Sequence, residues 1–270
     1  MVAATPSTAA VPSRYPITDI FVSAVTCAST TEFVLAAARE GRSAVVAATS
    51  VHGLTMGALD PSFGRVLNQL DVLTPDGQPV RWALNWLHGT DLTERVYGPT
   101  LMLRVCEAAA GEQLAVYFYG SRSAVLERLE ERLGRMAPNL TIAGLRSPPF
   151  RPSTKEEDDE DVRRIVESGA RIVFVGLGCP RQERWAAEHR ERLPMPIVCV
   201  GAAFDFHAGT LRQAPVWMQE HGLEWLFRLA MEPRRLWRRY TKHIPVYVAL
   251  VTRQYVTMRW RQRTGGKSRT

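Results

Sequence analysis

The sequence predicts an α/β fold with a largely parallel sheet, helices on both faces of the sheet and a helical appendage at the C-terminus. Short segments rich in β-branched residues alternate with helical patterns, which favours a parallel sheet covered on both faces. Glycine-rich loops follow several of these segments, at the positions where such sheets bind ligands. A basic, tryptophan-containing tail predicts the appendage.

The composition is typical of a soluble globular protein and limits the number of domains. With 270 residues, 46% of them hydrophobic and 23% charged, the chain can form one large domain with an appendage. No apolar run reaches the roughly 20 residues that span a bilayer, and the N-terminus lacks the pattern of a signal peptide. We therefore expect a cytoplasmic protein with a disordered leader (residues 1–14), a main domain (15–220) and the appendage (221–270). The cysteines show no metal-like spacing and are expected to be reduced: Cys27, Cys106, Cys179 and Cys199.

Seven strands and five helices are predicted within the main domain. The strands are expected at residues 17–22, 44–48, 71–73, 115–119, 141–145, 172–175 and 197–200. The helices are expected at residues 31–39, 100–110, 124–136, 158–168 and 181–190. Ligands bind outside the carboxyl ends of parallel strands, so the loops that follow strands are the candidate functional loops.

Asp76 follows the short strand at 71–73, in the turn Thr74-Pro75-Asp76-Gly77. One interpretation is that its carboxylate caps a helix that begins near Gln78. The other is that it acts as a general base, because a carboxylate partly removed from water has a raised pKa and can accept a proton from a hydroxyl.

Two further loops follow the strands at 172–175 and 197–200. Glycines such as Gly178 and Gly201 would let a ligand approach the backbone, and the helix start near Gln182 would offer N–H groups to a phosphate. Gln182 either reaches this ligand or is solvated. Asp205 is a candidate substrate-binding residue. Asp205 and His207 form either a catalytic or metal-binding pair or a structural turn. The structural turn is favoured because the sequence offers no third ligand.

Arg95 precedes the helix at 100–110 and is either a pyrophosphate clamp or a surface residue. Asp159-Glu160-Asp161 could hold a metal on a nucleotide sugar, but it lies in a solvated acidic run at a helix start, where carboxylates favour the helix dipole. Residues 265–268 resemble a phosphate loop but lack its first glycine and the following helix. We therefore predict no metal site and no cofactor.

The tail carries the positive charge of the protein. Residues 221–270 contain 12 lysines and arginines against 2 glutamates, which gives +10, whereas the whole chain has a net charge of +7 and the other 220 residues therefore sum to −3. A helix is predicted to begin near Pro233, and its residues are placed on a helical wheel at 100° per residue from Arg234. One face of this helix carries the cations Arg235, Arg238, Arg239 and Lys242. The opposite face carries the apolar residues Leu236, Trp237, Tyr240 and Ile244.

This separation is typical of a helix that lies in a membrane interface, although a helix packed on its own domain with a solvated basic face would look the same. The candidate contacts to a membrane or to a lipid pyrophosphate are Arg234, Arg235, Trp237, Arg238 and Arg239. The chain contains no nucleic-acid recognition module, so a nucleic-acid partner is not expected.

Over residues 17–248 these segments together resemble the bacterial WecG/TagA/CpsF glycosyltransferases (glycosyltransferase family 26). The matching pieces are LTPDGQPVRWA, ERVYGPTLM, VFVGLGCPRQERW, GAAFDFHAG and APVWMQEHGLEWLFRLAMEPRRLWRRY. The resemblance implies a Rossmann-like fold and transfer of a sugar from a UDP-sugar onto a polyprenyl-pyrophosphate-linked sugar, with inversion and without a metal. It also implies that Asp76 is the base, that Thr49, Arg95 and Gln182 occupy substrate-binding positions, and that the appendage docks on the inner face of the cell membrane and completes the active site.

One departure from the family pattern leaves the sugars open. The usual Thr-x-Asn reads Thr49-Ser50-Val51 here, and His52 is the side chain that could replace the asparagine contact. The sequence of this loop is therefore as compatible with glucose or another hexose as it is with an acetamido sugar. The alternative function is a non-catalytic nucleotide-sugar-binding module that tethers a partner to an anionic membrane. A homo-oligomer is also possible, because an apolar tail without a membrane could pack on a second copy.

Overall fold

The computed structural model describes residues 11–265, and side chains from residue 11 to residue 261. The strands are β1 (Arg14–Ile17), β2 (Ile20–Ser23), β3 (Ala44–Thr49), β4 (Val72–Pro75), β5 (Val116–Gly120), β6 (Ile142–Arg146), β7 (Ile172–Gly176) and β8 (Pro196–Cys199). The helices are α1 (Cys27–Glu40), α2 (Val51–Leu59), α3 (Pro61–Gln69), α4 (Gln78–His88), α5 (Gly98–Gly111), α6 (Ser123–Met136), α7 (Lys155–Glu167), α8 (Arg181–His189), α9 (Ala203–His207), α10 (Val216–Glu220), α11 (Glu224–Met231) and α12 (Pro233–Gly265).

The predicted parallel sheet is confirmed. Six strands pair in the order β4-β3-β8-β7-β5-β6, and every neighbouring pair is parallel. Six of the seven predicted strands match these to within one or two residues at each end, and all five predicted helices are present. α1 begins at Cys27, earlier than predicted, because Thr26 and Ser29 form a capping box in front of it.

The strand predicted at residues 17–22 is wrong, because this segment is the antiparallel hairpin of β1 and β2. Ile17 pairs with Ile20, and the chain turns between them at Thr18, which has a φ of 59°. Distant side chains hold the turn: Asn68 donates to the carbonyl of Asp19 (2.8 Å), and Gln254 accepts from the N–H of Thr18 (2.6 Å). These contacts outweigh the preference of the β-branched Thr18 for an extended strand.

Helices cover both faces of the sheet, as predicted. Alternate residues of each strand point to opposite faces, so Phe118 and Phe174 pack in one core while their neighbours Tyr119 and Val175 pack in the other. The first core lies against α1, α5, α6 and α9. The second lies against α2, α3, α4, α7, α8 and part of α12. This double cover explains why the strands are almost continuously apolar.

The C-terminal helices pack back onto the main domain. α12 begins at Pro233, as predicted, and contacts α2 and α11. Its buried residues include Leu236 and Tyr247, and the Tyr247 hydroxyl donates to the carbonyl of Pro79 (3.0 Å). Among residues 11–265, no helix combines the length and the apolarity that crossing a membrane requires. Residues 1–10 of the predicted leader and residues 266–268 of the glycine-rich motif lie outside the described residues. Arg14, which was expected to be the last residue of the leader, belongs to β1.

The acidic run differs from the prediction of a solvated helix start at one position. α7 begins at Lys155, and its first turn carries acidic residues as expected. Asp161, however, is buried and accepts hydrogen bonds from Arg146 (2.7 Å) and the Tyr119 hydroxyl (3.1 Å). It faces β5 rather than solvent because it lies on the inner side of the helix. Within residues 11–261, no group of three or more His, Cys, Asp and Glu side chains is arranged to hold a metal ion.

Candidate active site

A cavity of about 380 Å³ lies between the loops after β3 and β4 and the C-terminal helices α11 and α12. The sequence-predicted residues His52, Asp76, Arg95 and Arg239 all line it. Its other lining residues are Ser50, Val51, Gly77, Gln78, Pro79, Trp82, Tyr97, Gly222, Glu224, Trp225, Arg228, Tyr240, His243, Ile244, Tyr247 and Val248. We call this space the site cavity.

Asp76 lies at the carboxyl end of β4, where its backbone N–H donates to the carbonyl of Thr49 on the neighbouring β3 (3.0 Å). Its Oδ1 accepts a hydrogen bond from the N–H of Gly98, the first residue of α5 (2.8 Å). The expectation that Asp76 caps the helix near Gln78 is therefore wrong: α4 has Gly77 as its N-cap, without a side-chain cap. Within residues 11–261, no hydrogen bond engages Oδ2 of Asp76.

The surroundings of Asp76 favour a carboxyl group that accepts protons. Burial raises its pKa, the positive charge of Arg95 and the N–H of Gly98 act in the opposite direction, and the negative charge of Glu224 raises it further. The net shift is upward. A carboxylate with a raised pKa and an uncommitted oxygen in a cavity has the properties that a general base needs.

Arg95 is held by the C-terminal segment, so the expectation of an ordinary surface arginine is wrong. Its Nη2 forms an ion pair with Glu224 Oε2 (2.7 Å), and the exposed fraction of each side chain is 12%. The same nitrogen donates to Gln219 Oε1 (3.1 Å), and the guanidinium lies 4.1 Å from the centroid of the Tyr97 ring. The Tyr97 hydroxyl donates to Glu224 Oε1 (3.1 Å). Glu224 therefore links two side chains of the main domain to α11.

The cationic face predicted for α12 divides into two groups. Arg234, Arg235 and Arg238 are exposed, and the adjacent Trp237 is 61% exposed. Arg239 instead lines the site cavity, where its Nε is buried without a hydrogen-bond partner within residues 11–261 and burial lowers its pKa. The expectation that Arg239 belongs to a solvated cationic face is thus wrong, because this side of α12 packs against the main domain.

Two histidines meet where α12 crosses α2. The rings of His52 and His243 are 4.5 Å apart, edge to face, and the Nδ1 of each is buried without a partner within the described side chains. Burial, with the nearby charge of Arg239 as the next cause, lowers the pKa of His52 to about 3. His52 is therefore neutral at physiological pH.

Gln182 joins the loops after β7 and β8. Its side chain is 2% exposed, so the expectation of a solvated residue is wrong. Its Oε1 accepts from the N–H of Gly201 (3.1 Å), and its Nε2 donates to Glu183 Oε1 (3.0 Å). Gly178 and Gly201 have φ values of 78° and 59°, the left-handed region that favours glycine. This pair of loops does not line the site cavity itself.

Thr49 and Asp205 occupy different surroundings. Thr49 is buried at the end of β3, between the two groups of loops, because β3 pairs with β4 on one side and with β8 on the other. The Asp205 carboxylate accepts from the Thr210 hydroxyl (3.2 Å), and His207 contacts the carbonyl of Pro99 (2.8 Å). These separate partners favour the structural turn, and a role of Asp205 in substrate binding stays a prediction.

Sequence reasoning missed Glu224, Tyr97 and Arg228 as lining residues of the site cavity. The available signal for Glu224 was its charge, because it is one of only two acidic residues in the basic tail. An acidic side chain that is buried beside a cationic segment needs a cationic partner, and the structure identifies that partner as Arg95.

Comparison with known proteins identifies the family. Residues 15–261 match the model of the family described as "Glycosyl transferase WecG/TagA/CpsF family". The chain is 32% identical over 193 residues to an N-acetylglucosaminyldiphosphoundecaprenol N-acetyl-beta-D-mannosaminyltransferase from Bacillus spizizenii, which covers 71% of this chain and 72% of the relative. It is 27% identical over 196 residues to the protein of the same description from Bacillus subtilis, which covers 72% and 73%. The family match spans the parallel sheet, the site cavity and most of α12, and the chain belongs to the WecG/TagA/CpsF family of glycosyltransferases.

Proposed function

We propose that the protein is an inverting, metal-independent glycosyltransferase that moves a hexosyl group from a UDP-sugar onto a polyprenyl-pyrophosphate-linked sugar in cell-surface polysaccharide biosynthesis. The acceptor class is supported by the two Bacillus relatives, whose descriptions name an undecaprenyl-diphosphate-linked N-acetylglucosamine as the acceptor. The observation that carries the chemistry is Asp76, a half-buried carboxyl with a raised pKa at the wall of the site cavity.

Asp76 acts as the general base in this proposal. Oδ2 of Asp76 removes the proton from an acceptor hydroxyl. At the same time, the oxygen of that hydroxyl forms a bond to the anomeric carbon of the donor. The bond from the anomeric carbon to UDP breaks on the opposite face, so the configuration inverts, UDP leaves with the electron pair and the proton stays on Asp76. Holding the two substrates in line supplies much of the acceleration.

Cationic and dipolar groups support the departing diphosphate. The α8 N-terminus follows the loop of Gly178, and its helix dipole favours a donor phosphate there. Arg95, which Glu224 and Gln219 hold through one nitrogen, also lines the site cavity. Arg228 and Arg239 line the same cavity from the C-terminal helices and suit the pyrophosphate of the acceptor.

The exposed residues of α12 suit a membrane that carries the acceptor. Arg234, Arg235 and Arg238 would attract anionic headgroups, and Trp237 would enter the interface between headgroups and acyl chains. The enzyme would then act as a peripheral protein on the inner face of the membrane. His52 and Val51 line the cavity where the family usually has its asparagine, so hexoses with and without an acetamido group are both candidate donors.

A transfer assay with the full chain tests the proposal. The protein is incubated with a polyprenyl-pyrophosphate N-acetylglucosamine acceptor and, one at a time, with a panel of UDP-sugars, and both UDP and the extended lipid are measured. We expect at least one UDP-sugar to give UDP and extended lipid in equal amounts. If UDP-sugars protect the protein against thermal unfolding but none is transferred, the non-catalytic binding module becomes the better account.

A further inference from the structure

The site cavity is lined by both charged and apolar side chains. Its charged residues include Asp76, Arg95, Glu224, Arg228 and Arg239. A group of large apolar and aromatic residues, which we call the apolar wall, consists of Pro79, Trp82, Trp225, Ile244, Tyr247 and Val248. Phosphates bind to the charged residues, so the apolar wall is available to an apolar part of the substrate.

Three helices build the apolar wall, and specific contacts hold them together. Pro79 and Trp82 come from α4, Trp225 from α11, and the remaining three residues from α12. The Tyr247 hydroxyl donates to the Pro79 carbonyl (3.0 Å), which fixes α12 against α4. The turn before α11 contains Gly222, where a Cβ atom would lie 2.7 Å from the Trp82 ring. The wall is therefore a packed surface that only the folded C-terminal segment completes.

The apolar wall extends from the protein interior to its surface. Tyr247 is 6% exposed, whereas Trp82, Trp225 and Val248 are 44%, 40% and 56% exposed. Large apolar side chains that remain exposed beside a cavity commonly mark a binding site. Val248, the most exposed of the three, lies on α12, the helix that also carries the exposed cations Arg234 and Arg238.

We propose that the apolar wall binds the first isoprene units of the polyprenyl-pyrophosphate acceptor, with the pyrophosphate at Arg228 and Arg239. This inference rests on the proposed function and adds a lipid-binding subsite to it. In such an acceptor the pyrophosphate is covalently joined to an apolar chain, so its site must place cations directly beside apolar surface. The site cavity has both kinds of side chain, with Arg228 and Arg239 among the residues that line it together with the apolar wall.

The size of the cavity limits how much of the lipid it can hold. About 380 Å³ lies near the lower end of the range for small-molecule sites, roughly 300 to 1,000 Å³. The sugar, the pyrophosphate and the first isoprene units would fill it. The rest of the chain would leave past the exposed Val248 toward the membrane, which predicts that affinity rises over the first isoprene units and then levels off.

The test compares ligands that share the pyrophosphate and differ in the apolar chain. Binding of inorganic pyrophosphate and of farnesyl pyrophosphate to the full chain is measured by calorimetry without detergent, below the concentration at which the lipid forms micelles. The variants are Trp82→Ala and Val248→Gln. The matched controls are Trp86→Ala, which is also on α4 and stacks on Tyr255 (4.4 Å), and Val256→Gln, which is also exposed on α12; neither lines the cavity.

We expect farnesyl pyrophosphate to bind the unmodified chain at least about tenfold more tightly than pyrophosphate, since each buried methylene contributes to apolar binding. Trp82→Ala and Val248→Gln should remove most of this difference, and the two controls should keep it. Equal binding of the two ligands, or equal losses in the variants and their controls, would overturn the inference.

Transfer kinetics separate a failure of this inference from a failure of the proposed function. If Trp82→Ala and Val248→Gln keep the KM for the lipid acceptor of the unmodified chain while sugar is transferred, the wall assignment is wrong and the function stands. If farnesyl pyrophosphate binds as expected but no UDP-sugar is transferred, the lipid site stands and the proposed function is wrong. A higher KM for the lipid acceptor with an unchanged KM for the UDP-sugar supports both.

Discussion

Arg95 and Glu224 form an ion pair of 2.7 Å that connects the loop before α5 to the start of α11. Because both side chains are 12% exposed, the pair is largely removed from water. It ties the C-terminal helices to the wall of the site cavity, because Arg95, a cation proposed to contact substrate, is held by a carboxylate from the appendage. Removing either partner should therefore affect both stability and activity.

The first prediction concerns the stability of this pair. Arg95→Ala should lower the free energy of unfolding by on the order of 3 kcal/mol, because it leaves Glu224 partly buried without its cation. The double variant Arg95→Ala/Glu224→Ala should recover part of that loss, because no unpaired charge remains. Urea unfolding of the two single variants and the double variant measures the coupling. Losses that simply add would show that the ion pair contributes nothing.

The second prediction concerns the pH dependence of transfer. Only the ionised Asp76 can accept a proton, and burial raises its pKa, so kcat/KM should fall on the acid side at a pH above the usual range of an aspartate, about 3.9. The negative charge of Glu224 adds to this increase, so Glu224→Gln should move the acid limb to lower pH. Glu232→Gln is the matched control, because Glu232 pairs with Arg235 outside the cavity (2.7 Å). An acid limb that Glu224→Gln leaves in place, or moves upward, contradicts the assignment.

The third prediction concerns the pH dependence of stability. Since the pKa of Asp76 is raised in the folded protein, the folded state holds this proton more tightly than the unfolded chain does. The bound proton therefore stabilises the folded state fully at any pH below the pKa of Asp76 in the unfolded chain. This stabilisation is lost as the pH rises through the pKa of Asp76 in the folded protein. Asp76→Asn, which cannot ionise, should therefore have a higher Tm than the unmodified chain at neutral pH, and the difference should disappear in acid. A Tm difference that does not vary with pH would contradict the shift.

The fourth prediction concerns the membrane surface. Replacing Arg234, Arg235 and Arg238 together by glutamine should lower the affinity for phosphatidylglycerol vesicles by about 100-fold, because each cation near such a surface contributes about 1 kcal/mol. Sedimentation of the protein with the vesicles measures this affinity. A control that replaces the exposed Arg104, Arg122 and Arg128 of the main domain removes the same charge elsewhere. Equal weakening in both triple variants would mean that net charge, rather than the face of α12, determines binding.

The sequence predicted the sheet and the polar loops because these depend on local patterns. Strands rich in β-branched residues and the turn around Asp76 are signals within a few residues of one another. The carboxyl ends of parallel strands meet at one edge, so the strand pattern places the loops of His52, Asp76 and Gln182 at that edge, and the strand order decides which of them are neighbours.

Features that depend on distant contacts could not be predicted in this way. The hairpin at Thr18 is held by Asn68 and Gln254, which no local pattern links to it. Arg239 lies at the edge of the cationic face on a helical wheel, and only the packing of α12 against α2 decides that it turns inward. The Arg95–Glu224 pair joins residues that are far apart in the chain.

The most direct test of the account is the rate of sugar transfer by Asp76→Asn, measured with saturating UDP-sugar and lipid acceptor. Asparagine can still accept the hydrogen bond from Gly98 but cannot accept a proton. We predict that kcat falls by about 10² to 10⁴, the usual contribution of a general base, while UDP-sugars still protect the variant against thermal unfolding. A kcat within a few-fold of the unmodified chain would contradict the assignment of Asp76 as the base.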